Sequence, residues 1–394
     1  MALQVDTMLA EASRLAGGLT DFGPPAFRPG LEALVHALNT EGRLSEVGEQ
    51  ILGARIVGIL SNRLVIEDYF RRIPEIDAEE IKGPIVIIGL PRTGTTLLQR
   101  TLSVDTRFYP ILWWETRYPA PVVAPASGEP DPRIEMAKAE VQAMIDGNPT
   151  LLSIHPFDAL GADEECILLE HSFSSFFDAY ADIPSYTRWM WETDQVPAYE
   201  YLKRLLKFVQ WQKHQRGYFA NQWVLKAPHH LRQIDVLFKV FPGTRVIQTH
   251  RDPLQTIPSI ASMHFNLWKL YMRDPDPARV GPQWSQIWKR GMESTMAYRD
   301  THAPDRFLDI WFADTLTKPL EVVKTIYDFI GVSFPEDTKE KMQAFLDANR
   351  REKRPVHDYS PEHYGLSEEQ IKRDFAAYRE RYILSREPSA AKST

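Results

Sequence analysis

The sequence has little of what secreted, metal-binding and membrane-spanning proteins require. Cys166 is the single cysteine in 394 residues, so no disulfide can form within the chain. The 11 histidines have no spacing typical of a metal site, and we expect no bound metal. The apolar runs are far shorter than the about 20 residues that a membrane-spanning helix needs. Residues 1–16 lack the basic start and the continuous apolar stretch of a signal peptide, so we expect a soluble, cytoplasmic protein.

The charge balance shows no basic excess. The formal net charge is −7 at pH 7, which argues against general nucleic-acid binding but allows a local cationic pocket. Aromatic residues make up 11% of the chain, and such side chains serve equally in a core or in the wall of a pocket. We therefore expect a small-molecule partner, and association into a homo-oligomer stays open.

Strands alternate with helices through the middle of the chain. This order predicts an α/β fold with a mainly parallel central sheet flanked by helices. The clearest strand is the run Ile-Val-Ile-Ile at 85–88, which is typical of a buried parallel strand. Further strands are predicted at 223–225, 245–248 and 307–311.

Helical periodicity dominates both ends of the chain and predicts helical N- and C-terminal additions to the sheet. A helix is also predicted over 164–180. We expect a single domain over 1–394 with three parts. They are a helical N-terminal extension (1–80), an α/β core with a helical cap (84–334) and a C-terminal helical segment (335–394).

A glycine-rich loop follows the first strand. Residues 89–96, Gly-Leu-Pro-Arg-Thr-Gly-Thr-Thr, have the glycine spacing of a phosphate-binding loop, which makes the predicted fold P-loop-type. The backbone N–H groups of such a loop converge on an anion, and the positive end of the next helix points at it. The predicted anion ligands are Arg92, Thr93, Gly94, Thr95 and Thr96.

The loop differs from that of the nucleoside triphosphatases. In those proteins a lysine precedes the final Ser or Thr and reaches the β- and γ-phosphates. Here that position is Thr95, and the cation comes earlier, at Arg92. This arrangement suits a smaller anion better than a triphosphate with its Mg²⁺. A P-loop-type small-molecule or nucleoside kinase remains the alternative function.

Residues 91–98, Pro-Arg-Thr-Gly-Thr-Thr-Leu-Leu, resemble the 5′-phosphosulfate loop of the sulfotransferases that use 3′-phosphoadenosine-5′-phosphosulfate (PAPS). The resemblance is strongest to the bacterial and tyrosylprotein branches, which have Arg rather than Lys early in the loop. It implies transfer of a sulfo group from PAPS to a hydroxyl or amine acceptor by in-line displacement with a general base. The product would be 3′-phosphoadenosine-5′-phosphate (PAP), and no metal is implied. A catalytically inactive nucleotide-binding protein is the second alternative.

Residues 243–253 resemble the 3′-phosphate site of the same family. There an Arg ends a strand and a Ser follows eight residues later in the next helix, which corresponds here to Arg251 and Ser259. The planar fork of Arg suits phosphate oxygens, which it binds in a bidentate manner. In several sulfotransferases a late basic loop closes on this phosphate, so the resemblance also implies Arg354.

Two places supply candidates for the general base. The tyrosylprotein branch has its base in a Glu-Thr-Arg triplet, which resembles 115–117 here. Two tryptophans precede Glu115, and desolvation against them would raise its pKa. The cytosolic sulfotransferases end the corresponding strand with Lys-x-His, which resembles Lys226 followed by His229 or His230. We expect Glu115 to be the base, with the two histidines as the alternative, and Lys226 to contact the bridging oxygen of the donor.

The acidic triplet at 163–165 is expected to be a charged helix start rather than a catalytic cluster, because acidic residues favour helix N-termini. Aromatic residues of the cap are expected to line the pocket of an apolar or aromatic acceptor. They are Trp113, Trp114, Phe157 and residues near Trp189 and Trp191.

Overall fold

The structure is a computed structural model that describes residues 2–121, 130–147, 157–349 and 360–386. At its centre lies a five-stranded, fully parallel sheet. The strands are β1 (Ile85–Gly89), β2 (Phe108–Pro110), β3 (Gln222–Lys226), β4 (Arg245–His250) and β5 (Phe307–Trp311). Their order in the sheet is β2–β3–β1–β4–β5, and the predicted α/β class is confirmed.

The four predicted strands are present, and β2 was missed. It has only three residues and ends at Pro110, so no period of alternation can be recognised in it. It forms an edge of the sheet, where Phe108 pairs with Gln222 of β3. An edge is where a strand tolerates proline, which has no N–H to donate to a second neighbour.

The carboxyl ends of all five strands lie at the same end of the sheet, because the strands run in the same direction. β1 lies in the middle, and its side chains are buried throughout. The chain leaves β1 at Gly89, β3 at Lys226 and β4 at His250. The glycine-rich loop, Lys226 and Arg251 therefore lie at the carboxyl end of the sheet, which is where ligands bind in open parallel sheets.

Helices cover both faces of the sheet. Val86 and Ile88 of β1 join a large apolar cluster with the N-terminal helices, whereas Ile85 and Ile87 join a smaller cluster on the other face. None of the helices in the described ranges is long and apolar enough to cross a membrane. The α-helices are α1 (Val5–Leu15), α2 (Phe27–Thr40), α3 (Glu46–Arg72), α4 (Thr95–Leu102), α5 (Trp113–Arg117), α6 (Pro132–Gly147), α7 (Cys166–Leu169), α8 (Pro184–Glu192), α9 (Val196–Gln215), α10 (Ile234–Val240), α11 (Pro253–Tyr271), α12 (Pro277–His302), α13 (Phe312–Thr317), α14 (Pro319–Ile330), α15 (Glu336–Ala348), α16 (Glu368–Asp374) and α17 (Ala376–Tyr382).

The N-terminal helices pack directly on the rest of the molecule. α3 begins where Ser45 donates its backbone N–H to the carbonyl oxygen of Tyr271, the last residue of α11, at 2.9 Å. At Gly48 a Cβ atom would lie 1.9 Å from that same carbonyl oxygen, so only glycine allows this close approach. Ile56 and Leu60 of α3 are fully buried in the cluster that also contains Val86.

The helix predicted over 164–180 is broken into three short pieces. α7 is followed by two 3₁₀ turns, Glu170–Ser172 and Phe176–Ala179. Between them Phe173 has φ of 52°, a left-handed conformation that an α-helix cannot continue through. The helical periodicity of the sequence did not reveal this break, because the side chain of Phe173 is buried as a helical residue would be.

Candidate active site

The glycine-rich loop joins β1 to α4. Gly94 precedes the helix with φ of 85°, and a Cβ atom there would lie 2.9 Å from the ring of Phe312. Arg92 also has a positive φ, 74°. Backbone strain of this kind is found at sites of function, where surrounding contacts hold it.

The polar side chains of the loop divide into two groups. Those of Arg92, Thr95 and Thr96 line a large cavity. Thr93 is fully buried instead, and its hydroxyl donates to the carbonyl oxygen of Leu90 at 2.7 Å and lies 2.6 Å from the hydroxyl of Thr249. The side chain of Thr93 therefore joins the loop to β4 and is not among the described residues that line the cavity.

Arg251 and Ser259 meet this loop, although more than 150 residues separate them from it in the sequence. Arg251 follows β4 and donates from Nη1 to the carbonyl oxygen of Arg92 at 2.9 Å. Arg92 in turn donates from Nε to the hydroxyl of Ser259 in α11, at 3.2 Å. The guanidinium of Arg251 lies 4.4 Å from the ring centre of Phe312. The fold thus brings together the two segments that the sequence proposed as halves of one site.

Lys226 connects the end of β3 to the same loop. Its side chain is buried, and Nζ lies 2.6 Å from Oε1 of Glu164 and 3.3 Å from the hydroxyl of Thr96. The Glu164 side chain is 22% exposed and lines the cavity. A cation and a carboxylate therefore lie together beside the loop, where charge and protons would move during group transfer.

Glu164 is the residue that the sequence interpretation missed. The triplet at 163–165 looked like a charged helix start, but its members differ in role. Glu165 is fully buried and accepts from the backbone N–H of Lys226 at 2.8 Å. Glu164 and the more deeply buried Asp163 both line the cavity. The sequence contains only one signal for Glu164, which is that no basic residue stands three or four positions away to pair with it. Such isolated acidic residues are too common to identify a site.

Glu115 lies in a different environment from the one predicted. Both of its carboxylate oxygens are 2.7 Å from Nζ of the buried Lys213, and Arg216 donates to it at 3.0 Å. Its Oε2 also accepts from the backbone N–H of Leu112 at 3.0 Å. The preceding tryptophans do not isolate it from charge, and it is not among the described residues that line the cavity. This geometry is that of a structural ion pair and does not support the expected role as base.

The two histidines after β3 are also buried in the protein interior. His230 donates from Nε2 to Glu165 at 2.5 Å, and its Nδ1 faces the hydroxyl of Tyr199 at 2.8 Å, so both ring nitrogens are engaged. His229 stands edge-on to the ring of Phe176, with centroids 5.0 Å apart. Burial, together with the charge of nearby Arg232, holds the pKa of His229 well below its usual value. Neither histidine is among the described residues that line the cavity.

The cavity has a volume of about 1820 Å³ and extends from the loop to the N-terminal helices. Trp113 and Phe157 line it as expected. Trp114 does not, because it is packed between the guanidinium groups of Arg133 and Arg216, 4.8 and 5.1 Å from its ring. Trp189 and Trp191 are also outside the described lining, where Trp189 stacks on Tyr186 and Trp191 lies under Arg290.

Much of the cavity wall comes from elements that the sequence did not connect with a site. α3 contributes one side with Val47, Ile51 and Gly58 among others, and the end of α15 contributes Leu346 and Asn349. Arg354, the predicted ligand from the late basic run, lies outside the described residues.

Comparison with known proteins agrees with this geometry. The sequence profile of the Sulfotransferase family matches residues 84–336. The chain is 26% identical over 298 residues to omega-hydroxy-beta-dihydromenaquinone-9 sulfotransferase Stf3 of Mycobacterium bovis, which covers 73% of this chain and 71% of the relative.

Two solved structures are similar over nearly the whole chain. Sulfotransferase STF1 from Mycobacterium tuberculosis H37Rv has a TM-score of 0.83 and 29% identity, covering 95% of this chain and 99% of that one. Sulfotransferase STF9 from Mycobacterium avium has a TM-score of 0.86 and 26% identity, covering 97% of both chains. These matches favour sulfo transfer over the kinase alternative. The family match spans more than half of the sequence, and the chain therefore belongs to the sulfotransferase family.

Proposed function

We propose that this sulfotransferase takes its sulfo group from PAPS and transfers it to a hydroxyl, or an amine, of a small apolar acceptor in the cytoplasm. The observation that carries the proposal is the junction of Arg92 with Arg251 and Ser259, at 2.9 and 3.2 Å. This junction supports the proposal because it brings together the two segments that we assign to anion binding. PAPS needs both, because it has a 3′-phosphate as well as a 5′-phosphosulfate.

Each end of the donor is assigned its own residues. Arg92, Gly94, Thr95 and Thr96 would hold the phosphosulfate through backbone N–H groups, hydroxyls and the guanidinium. Arg251 and Ser259 would hold the 3′-phosphate. Thr93 would act indirectly, through its hydrogen bonds to Leu90 and Thr249. Arg354 is retained as a further ligand of the 3′-phosphate, on the basis of the family resemblance alone.

We assign the general base to Glu164 in place of Glu115. The acceptor oxygen would attack sulfur, its proton would pass to the Glu164 carboxylate, and the bond from sulfur to the bridging oxygen would break to release PAP. Lys226 would stabilise the charge that develops on that leaving oxygen. The two side chains neutralise each other at 2.6 Å, and PAPS would draw Lys226 towards its bridging oxygen.

The acceptor would occupy the part of the cavity beyond Glu164. The name of the curated relative Stf3 describes a hydroxylated menaquinone as its substrate, which is an alcohol with a large apolar body. An apolar alcohol fits the wall formed here by side chains such as Val47, Ile51 and Met144. Because α3 supplies part of this wall, we propose that the chain works as a single domain.

Donor selection can be tested by ligand-induced stabilisation. A ligand that binds only the folded state raises the melting temperature. PAP should raise it strongly, and ATP with Mg²⁺ should raise it much less. Equal or greater stabilisation by ATP would contradict the proposal and favour a kinase.

The 3′-phosphate assignment can be tested with Arg251→Ala. Loss of a charge-assisted, bidentate partner should weaken PAP binding by about 2 kcal/mol, roughly 30-fold. Binding of adenosine 5′-phosphosulfate, which has no 3′-phosphate, should change much less. Arg245→Ala is the matched control, because Arg245 lies at the opposite end of β4 and bonds to the carbonyl oxygen of Phe329. Equal weakening of both donors by Arg251→Ala would refute the assignment.

A further inference from the structure

Two Arg–Glu pairs lie in the cavity wall away from the glycine-rich loop. Arg55 of α3 donates hydrogen bonds to the carboxylate of Glu170 from Nε and Nη2, at 2.9 and 2.6 Å. Arg117 at the end of α5 bonds to Glu140 of α6 through Nε at 3.1 Å and also through Nη2. All four residues line the same cavity. We refer to these four residues as the polar station.

The two pairs influence each other and are therefore close in space. Burial alone would raise the pKa of Glu140, but Arg117, the hydroxyl of Tyr118 and, most weakly, Arg55 hold it below its usual value. Burial alone would lower the pKa of Arg55, but the charge and hydrogen bonds of Glu170 together with Tyr180 outweigh burial, and the pKa is raised. The formal charges of the station's two arginines and two glutamates sum to zero.

Placing two ion pairs in an apolar cavity wall is unfavourable for the stability of the protein. Buried ion pairs are often less stable than apolar side chains of the same volume. The side chains of Arg55 and Arg117 are 14% and 17% exposed, and both line the cavity. Each arginine uses Nε and Nη2 for its carboxylate, and in the described residues Nη1 of each has no hydrogen-bond partner. Donors are therefore available to a molecule in the cavity, while the neutral sum does not favour a second anion.

The station and the transfer site share one cavity wall. Glu164 and Glu170 are six residues apart in the chain, and Ile167 between them also lines the cavity. The intervening Ile167 requires an apolar stretch in the ligand.

The rim of the cavity is apolar on the side of the N-terminal helices. Leu15, Val47 and Ile51 line the cavity and are 51%, 58% and 46% exposed. Large apolar side chains grouped on a surface mark a site that an apolar molecule contacts. The apolar rim therefore favours an acceptor whose apolar part extends past the polar station towards the N-terminal helices.

We propose that the acceptor is an amphiphilic alcohol with a second, neutral oxygen, and that this oxygen accepts hydrogen bonds from Arg55 and its neighbour Arg117. A hydroxyl, carbonyl or ether oxygen separated from the reacting group by apolar atoms has the required chemistry. The proposal rests on the proposed function, because the reacting hydroxyl is assumed to lie at Glu164.

The test measures sulfo transfer from labelled PAPS to straight-chain alcohols. One series ends in a methyl group, and the other has a second hydroxyl or carbonyl at increasing distance from the first. At one spacing of the second oxygen, the wild-type enzyme should use the alcohol at least about tenfold more efficiently, in kcat/KM, than the methyl-ended alcohol of the same length. The preference should fall again when the second oxygen is nearer or farther.

Two double variants test whether the preference for a second oxygen depends on the polar station. Arg55→Gln combined with Glu170→Gln removes both charges while leaving hydrogen-bonding groups, and it should abolish the preference between the two series. Arg204→Gln with Glu67→Gln is the matched control, since this pair also joins α3 to another element, at 3.0 Å, and is not among the described residues lining the cavity. The control should keep the preference.

PAP binding is measured on every variant to separate the two proposals. Normal PAP binding with equal use of both series, or with no transfer to any member, would overturn the acceptor proposal and leave the donor assignment intact. Failure of the wild-type protein to bind PAP would overturn both. If the double variant does not fold, the distance dependence in the wild-type enzyme decides by itself, because a flat profile contradicts a second contact.

Discussion

Three glutamates near the carboxyl ends of the strands differ in their surroundings. Glu115 is neutralised by Lys213, and Glu165 supports the backbone of Lys226 and the ring of His230. Glu164 alone among the three lines the cavity. At the scale of the residue, the direction of a side chain and the identity of its partner decide whether a carboxylate is structural or available to a substrate.

The first prediction at this scale concerns Glu164→Gln. The change keeps the shape and removes the proton acceptor, so single-turnover transfer from PAPS should slow by about two to four orders of magnitude, the usual effect of losing a general base. PAP affinity should not weaken, because the phosphates are assigned to other residues. Rapid-quench transfer assays and PAP titration measure the two quantities separately.

Glu115→Gln is the control for that experiment. It should leave transfer largely intact, but it should lower the free energy of unfolding by about 3–5 kcal/mol, since it leaves the buried Lys213 without a counter-charge. Near-normal transfer in Glu164→Gln together with slow transfer in a folded Glu115→Gln protein would return the role of base to Glu115.

Helix α3 connects the core of the molecule with its cavity. One side carries Ile56 and Leu60 into the apolar cluster, and the other carries Ile51, Arg55 and Gly58 to the cavity wall. At the scale of the element, α3 therefore has a face that lines the cavity in addition to a packing face.

The two glycines in the middle of α3 allow a test of this division. At Gly58 a Cβ atom would meet nothing within 4 Å, so Gly58→Ala should stabilise the protein by about 0.5–1 kcal/mol through helix propensity. Gly58→Leu should raise the KM of the acceptor by occupying cavity space, with PAP affinity unchanged. Urea denaturation and steady-state kinetics measure these effects.

Gly53→Ala is the matched control on the same helix. Its Cβ atom would lie 3.3 Å from Leu3 of the N-terminal segment, away from the cavity. It should leave the KM of the acceptor unchanged. If Gly58→Leu also left this KM unchanged, α3 would have no part in binding the acceptor.

The whole molecule keeps several histidines buried and neutral. Burial is the main cause that lowers the pKa of His229, His250 and His264. Burial also lowers the pKa of His171, to about 3, with a further contribution from the charge of Arg63. Each of these histidines has a lower pKa in the folded protein than in the unfolded chain, so the folded protein binds a proton there less readily.

Acid stability follows from the sign of these shifts. The unfolded pKa of histidine is about 6.5, above the folded value of His171, so the unfolded chain binds the extra proton as the pH falls from about 6.5 to 3. His171 alone should then reduce the free energy of unfolding by about 1.4 kcal/mol per pH unit across that window. Above pH 7 its contribution should be constant.

His171→Asn tests this prediction through the slope of stability against pH. Asparagine can retain the hydrogen bond to the carbonyl oxygen of Leu168, which His171 makes through Nδ1 at 3.1 Å, and it does not titrate. Chemical denaturation at a series of pH values should give a shallower slope for the variant below pH 6.5 and equal slopes above pH 7. Identical slopes in the acidic range would mean that His171 is protonated in the folded state.

Local patterns in the sequence determined four of the five strands, the glycine-rich loop and the two segments that we propose bind the donor. The apolar run of β1 and the glycines of the loop report on burial and backbone geometry at their own positions. The spacing of Arg251 and Ser259 is likewise local, because a strand end and the following helix turn orient both. These features could be predicted since the physical requirement and the residues that meet it are neighbours in the chain.

Only the tertiary structure decided which carboxylate faces the cavity and what the N-terminal helices do. Glu115 is paired with a lysine 98 residues away, and Glu164 with one 62 residues away, so their roles depend on contacts that no local pattern contains. An amphipathic helix reveals that it has an apolar side but not which surface it packs against. The pairs of Arg55 with Glu170 and of Arg117 with Glu140 likewise exist only after folding has brought α3, α5 and α6 around one cavity.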